Sequence, residues 1–116
     1  MIKIYHNSRC SKSRGACDIL KENHIEAEVI EYLLTPPTQD EIIGLLEKLN
    51  MTSFEIVRKG EDLYKLKFAN KERSEDEWIR IMAENPILIE RPIIVKGDKA
   101  VIGPSPEKIA ELLNNS

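Results

Sequence analysis

Ile2-Lys3-Ile4-Tyr5-His6-Asn7-Ser8-Arg9-Cys10-Ser11-Lys12-Ser13-Arg14 opens the chain, and its reading decides the rest. Residues 2–6 begin with apolar and polar side chains in alternation, the period of a strand with one buried face. Residues 12–23 carry Ala16, Cys17 and Leu20 on one side, the period of a helix. Cys10 thus sits where a strand hands over to a helix N-terminus. Free backbone N–H groups and the positive end of the helix dipole favour an anion there. A thiolate is an anion, so the position predicts a lowered thiol pKa and a reactive cysteine. Arg9, Lys12 and Arg14 lie within four residues and push the same way. The same letters also fit a plain strand–turn–helix with an incidental cysteine, since free cysteines are commonly buried and inert.

Working outward, residues 27–32 alternate again, so the first 32 residues form a β-α-β unit with parallel strands and a right-handed crossover. Leu33 to Pro37 breaks that unit. Thr38 caps a helix that Glu41 completes as a capping box, with a buried stripe of Ile42, Ile43, Leu45, Leu46 and Leu49. Asn50-Met51-Thr52 ends it. A short helix from Ser53 to Val57 and another over 61–67 follow. Ser74 then caps a helix over 75–84, stopped by Asn85-Pro86. Pro92 to Val95 is a buried strand, residues 96–99 a hairpin turn, and residues 100–102 an antiparallel return. A last amphipathic helix carries Ile109, Leu112 and Leu113. The expected fold class is α/β: a mixed sheet in the order β-α-β … β-β-α, with a helical block inserted at approximately 36–86, in a single domain over 1–116.

The composition narrows the function classes. The chain has 116 residues, enough for one domain with a real core. Its net charge of −3 offers no basic footprint for nucleic acid, so none is expected as a partner. No apolar run approaches a membrane span, and the N-terminus reads as a strand instead of a signal peptide, so no membrane partner and a cytoplasmic location are expected. Two cysteines are not a disulfide framework there. With two histidines they also lack metal-ligand spacing, so no metal and no bound cofactor are expected.

Strand, loop, cysteine and helix at the start, with an apolar strand opening on Pro92 near the end, make the layout of a thioredoxin-like fold. Arg91-Pro92 is the candidate cis bond of that layout; a trans proline at the first position of a strand is the alternative. Cys10-Ser11-Lys12-Ser13 places serine where a local resolving cysteine would stand. Such a site can form a mixed disulfide and await an external thiol such as glutathione. Cys17, two helical turns on and on the apolar face, reads as a core residue. His6, at the strand end before Cys10, can hydrogen-bond or move protons near a thiolate, or be satisfied by backbone. His24 reads as surface. Arg58 and Arg91 carry forked donors suited to oxyanions, and are otherwise two ordinary surface arginines.

Tyr5-His6-Asn7 with Cys10 to Arg14, Leu33 to Pro37, Val57-Arg58-Lys59, Asn85 to Leu88 and Glu90 to Val95 together resemble the glutaredoxin-coupled arsenate reductase (ArsC) family, nearly end to end and in order. The resemblance implies a thioredoxin-like fold with an added helical block. It implies that Cys10 attacks the arsenic of bound arsenate and that His6 helps hold it as thiolate. It further implies that Arg58 and Arg91 bind the oxyanion, with Lys12 and Arg14 as further candidate contacts. Glutathione is then the co-substrate and glutaredoxin the partner that reduces the mixed disulfide. The family's third arginine falls where this chain has Pro104, which offers no donor at all. A glutathione-dependent thiol–disulfide reductase without arsenate activity therefore stands as an alternative. The Spx regulators, which share the fold and bind RNA polymerase, are another. Typical members carry a second cysteine at the position of Ser13, which argues against a disulfide-switched regulator here.

Overall fold

A computed structural model describes residues 2–7, 9–103 and 106–114. The chain divides into two compact units, one made of residues 1–35 and 91–116 and the other of residues 36–90.

In the first unit, β1 (Ile2–His6), β2 (Ala27–Glu31), β3 (Ile93–Lys96) and β4 (Lys99–Ile102) form one sheet in the order β2-β1-β3-β4. β1 pairs parallel with β2 and antiparallel with β3, and β4 returns antiparallel along β3. The parallel pair is bridged by α1 (Ser11–Glu22), as a crossover requires. The β3–β4 connection is a tight turn through Gly97, whose φ of 61° suits glycine. With α4 (Pro106–Asn114), this is the thioredoxin-like fold expected from the sequence.

Ile2 and Ile4 of β1 and Ile94 of β3 form a cluster with Ala16 and Leu20 of α1 and Ile109 and Leu112 of α4. Ser13, Ala16 and Leu20 are buried, so the inward stripe of α1 runs at helical spacing and begins on a serine. Each fully buried Ile or Leu adds roughly 1.5–3 kcal/mol. β3 is buried along Ile93, Ile94 and Val95, which accounts for its unbroken apolar sequence. Lys96 Nζ donates to the Leu113 carbonyl at 2.6 Å, placing a cation at the C-terminal end of α4.

In the second unit, α2 (Gln39–Leu49) and α3 (Glu75–Glu84) start on the expected capping boxes, Thr38 with Glu41 and Ser74 with Glu77. α2 ends on Asn50 in the left-handed region, at φ 57°. A 3-10 turn (Ser53–Ile56) carries a third capping box, Thr52 with Glu55. Two details differ from the sequence reading. Ile43 is 41% exposed, because it lies a full 100° around α2 from the buried Ile42. The short helix expected over 61–67 is a π-helical turn, Tyr64–Phe68, shifted towards the C-terminus. Tyr64 and Phe68 lie against Trp78, with ring centroids 6.2 and 6.4 Å away. Among the described residues, no helix is long and apolar enough to cross a membrane.

Candidate active site

The loop between β1 and α1 is held by Asn7 and Ser13. The Asn7 backbone N–H donates to Ser13 Oγ at 3.3 Å, and the Asn7 side-chain oxygen accepts from the Arg9 N–H at 3.0 Å. Both Asn7 and Ser13 are buried. The Cys10 N–H donates to the Asn7 carbonyl at 3.0 Å, and the Cys10 carbonyl accepts from the Arg14 N–H at 3.1 Å. Cys10 is thereby the N-cap residue of α1, half-buried, with extended backbone and no capping bond from its side chain.

Charge at the helix starts sets α1 apart. The first turn of α2 carries Asp40 and Glu41, that of α3 carries Glu75, Asp76 and Glu77, and that of α4 carries Glu107. The first turn of α1 carries no acid. Its dipole is left uncompensated beside a cysteine, with Arg9 and Arg14 exposed nearby in the chain. The Lys12 side chain and all of Pro104 lie outside the described residues.

His6 is buried at the end of β1. Its Nδ1 lies 3.6 Å from Cys17 Sγ and its Nε2 lies 3.8 Å from Glu31 Oε1. The two ring nitrogens thus lie near Cys17 and Glu31, neighbours that the sequence reading did not name. Glu31 is the parallel register partner of His6, so adjacent strand ends bring them together. Cys17 is half-buried instead of fully enclosed. Burial, then Asp18 and Glu31, push its thiol pKa up, with Lys21 opposing. Burial and the nearby carboxylates thus favour the protonated, less nucleophilic form of the Cys17 thiol. Cys17 and Glu31 lie on opposite nitrogens of the ring, so the three side chains do not converge on one point, and among the described residues no cluster is placed to hold a metal ion.

The Arg91–Pro92 peptide is cis, and the Pro92 carbonyl accepts from the Gly103 N–H at 3.0 Å. Arg91 is half-buried in the same unit as Cys10. Arg58 belongs to the second unit. Its backbone N–H donates to the Leu88 carbonyl at 2.7 Å, beside the bridge between Val57 and Ile89. Its guanidinium meets Glu61 at 3.1 Å and Glu90 at 3.3 Å. The sequence reading missed both carboxylates. Glu61 was within reach as an i,i+3 neighbour; Glu90 becomes one only through the Val57–Ile89 bridge.

Comparison with known proteins gives one family. The ArsC family profile matches residues 5–112. The uncharacterised protein YfgD of Escherichia coli (strain K12) is 48% identical over 97% of this chain and 96% of its own length. An arsenate reductase of Neisseria meningitidis serogroup B (strain MC58) is 43% identical, with 97% of each chain covered. The solved structure of an arsenate reductase from Vibrio cholerae superposes with a TM-score of 0.88 at 39% identity, covering 96% of both chains.

Proposed function

The chain belongs to the ArsC family, and we propose that it is an arsenate reductase whose nucleophile is Cys10. The observation that carries this reading is the half-buried Cys10 at the start of the one described α-helix whose first turn holds no carboxylate. Similar proteins that carry the name arsenate reductase, matched along nearly their whole length, support the choice of substrate.

The chemistry is a two-electron reduction by two thiols. The Cys10 sulfur bonds to arsenic as arsenate loses one oxygen as water. A second thiol then supplies the other sulfur. Arsenic leaves as arsenite, and the two sulfurs remain joined as a disulfide. We assign the second thiol to glutathione, and reduction of the resulting mixed disulfide to glutaredoxin. Two features favour an external thiol. Ser13 fills the local resolving position, and its hydroxyl is bound to the loop backbone. Cys17 is seven residues along a helix, roughly 10 Å at 1.5 Å per residue, beyond the usual span of a disulfide. Arg58 and Arg91 are carried as oxyanion-binding residues, and His6 as an aid to the Cys10 thiolate, on the resemblance alone.

Pro104 stands in place of the family's third arginine and favours one second reading: a glutathione-dependent thiol–disulfide reductase without arsenate turnover. A coupled assay with arsenate, glutathione, glutaredoxin, glutathione reductase and NADPH separates the two. Arsenate-dependent NADPH oxidation by the wild type, lost in Cys10→Ser, is the expected result. Reduction of a glutathione mixed disulfide with no response to arsenate would refute arsenate reduction and leave the second reading.

A further inference from the structure

We propose that the concavity where β1 and β2 end is the docking site for the zwitterionic thiol that resolves Cys10; this rests on the reading of glutathione as the second thiol. Its volume is about 280 Å³, and it is lined by Asn7, Arg9, Glu31, Leu33 and Leu34. That volume lies near the small end of ligand sites, roughly 300–1,000 Å³.

The position follows from the fold. Glu31 closes β2 beside His6, the last residue of β1. Asn7 and Arg9 belong to the loop that holds Cys10, through the Asn7 carbonyl and the Asn7 side chain. A ligand in the concavity therefore lies against the segment that carries the nucleophile.

The lining has the chemistry of a zwitterion site. Among the described residues that line it, Arg9 is the one cation and Glu31 the one anion, and Leu33 and Leu34 add apolar surface. Leu34 is 82% exposed, an apolar wall open to a ligand. Glutathione carries an ammonium with a carboxylate at one end, a second carboxylate at the other, and a short aliphatic thiol between. Glu31 suits the ammonium. Its Oε1 faces His6 Nε2 at 3.8 Å, and the carboxylate has a second oxygen to offer. Arg9 suits a carboxylate through the fork of its guanidinium. A dianion or a plain cation would meet one wrong charge here.

Thiol–disulfide exchange tests this without arsenate. Cys10 thiolate attacks one sulfur of oxidised glutathione, the mixed disulfide forms, and glutathione leaves as thiolate; no other oxidant is needed. Rates are read by intact mass spectrometry with oxidised glutathione and with the uncharged 2-hydroxyethyl disulfide. Glu31→Gln and Arg9→Gln should each slow the glutathione reaction by roughly threefold to fivefold, the scale of an exposed charge pair. The uncharged disulfide, which has no charges to match, corrects for any change in the thiol itself. A ratio of the two rates that is unchanged in both variants overturns the docking site while the adduct still forms on Cys10. Failure of the wild type to form any glutathione adduct overturns the glutathione reading itself.

Discussion

Replacing Ser13 by alanine tests the support under the candidate nucleophile. Ser13 is fully enclosed, and its Oγ accepts the Asn7 N–H at 3.3 Å, the long end of the hydrogen-bond range. Without that oxygen, an N–H of a residue only 5% exposed loses its acceptor. Stranding a buried donor costs about 1–3 kcal/mol. The better helix propensity of alanine returns about half a kcal/mol. The net loss should be about 1–2 kcal/mol. For a chain of this length that is a fall in Tm of about 5–10 °C. Thermal unfolding followed by circular dichroism gives the number, and the iodoacetamide rate at Cys10 should fall in parallel as its loop loosens. Ser11→Ala, one turn-position away but exposed, is the control: it should leave Tm unchanged or slightly raised. If Ser13→Ala behaves like Ser11→Ala, the Asn7 N–H does not depend on Ser13 and the account of the loop is wrong.

Iodoacetamide near neutral pH should label Cys10 before Cys17, because α1 points an uncompensated dipole at the first while burial and nearby carboxylates hold the second protonated; peptide mapping showing Cys17 labelled first would refute this. The raised Cys17 pKa also has a pH signature. The folded chain holds that proton more tightly than the unfolded one, whose thiol has its usual value of 9.0, so this contribution is intact below pH 9.0 and is lost as pH rises through the folded value. Urea unfolding from about pH 8 to about pH 10.5 should therefore show a steeper decline for the wild type than for Cys17→Ser, and equal slopes would remove Cys17 as a source. Pro104→Arg should raise kcat/KM for arsenate by roughly tenfold to a hundredfold, the worth of one charged donor in a desolvated site, with little change in glutathione-linked disulfide reduction. Robust turnover by the unmodified chain and no gain in a well-folded variant would mean that the position does not limit the reaction.

What was legible in the sequence was local. Thr38 with Glu41 and Ser74 with Glu77 announce their helices because the capping partners lie three residues apart. Cys10 was legible for the same reason: strand, loop and helix start fall within ten residues. The partners of His6 were not. They depend on the register of β1 against β2, which sets Glu31 beside it, and on the face of α1 that turns Cys17 inward. Arg58 looked like a plain surface cation, since Glu90 reaches it only through a bridge between Val57 and Ile89, far apart in sequence. The π-helical turn at Tyr64–Phe68 escaped because short apolar spacing does not separate a π turn from an α turn, and the aromatic contacts with Trp78 are non-local.

The sheet order β2-β1-β3-β4 carries a consequence for how the protein is made. β1 is synthesised first, yet its second neighbour, which pairs Ile4 with Ile94, comes from near the end of the chain. At ribosomal rates the interval is on the order of 5–20 s. Until then Ile4 and Leu20 lack Ile94, Ile109 and Leu112, the side chains that complete their cluster. The segment bearing the thiol thus leaves the ribosome early and is enclosed late, so a nonsense codon or proteolytic nick ahead of the last helix, some ninety residues from Cys10, strikes the nucleophile's own scaffold.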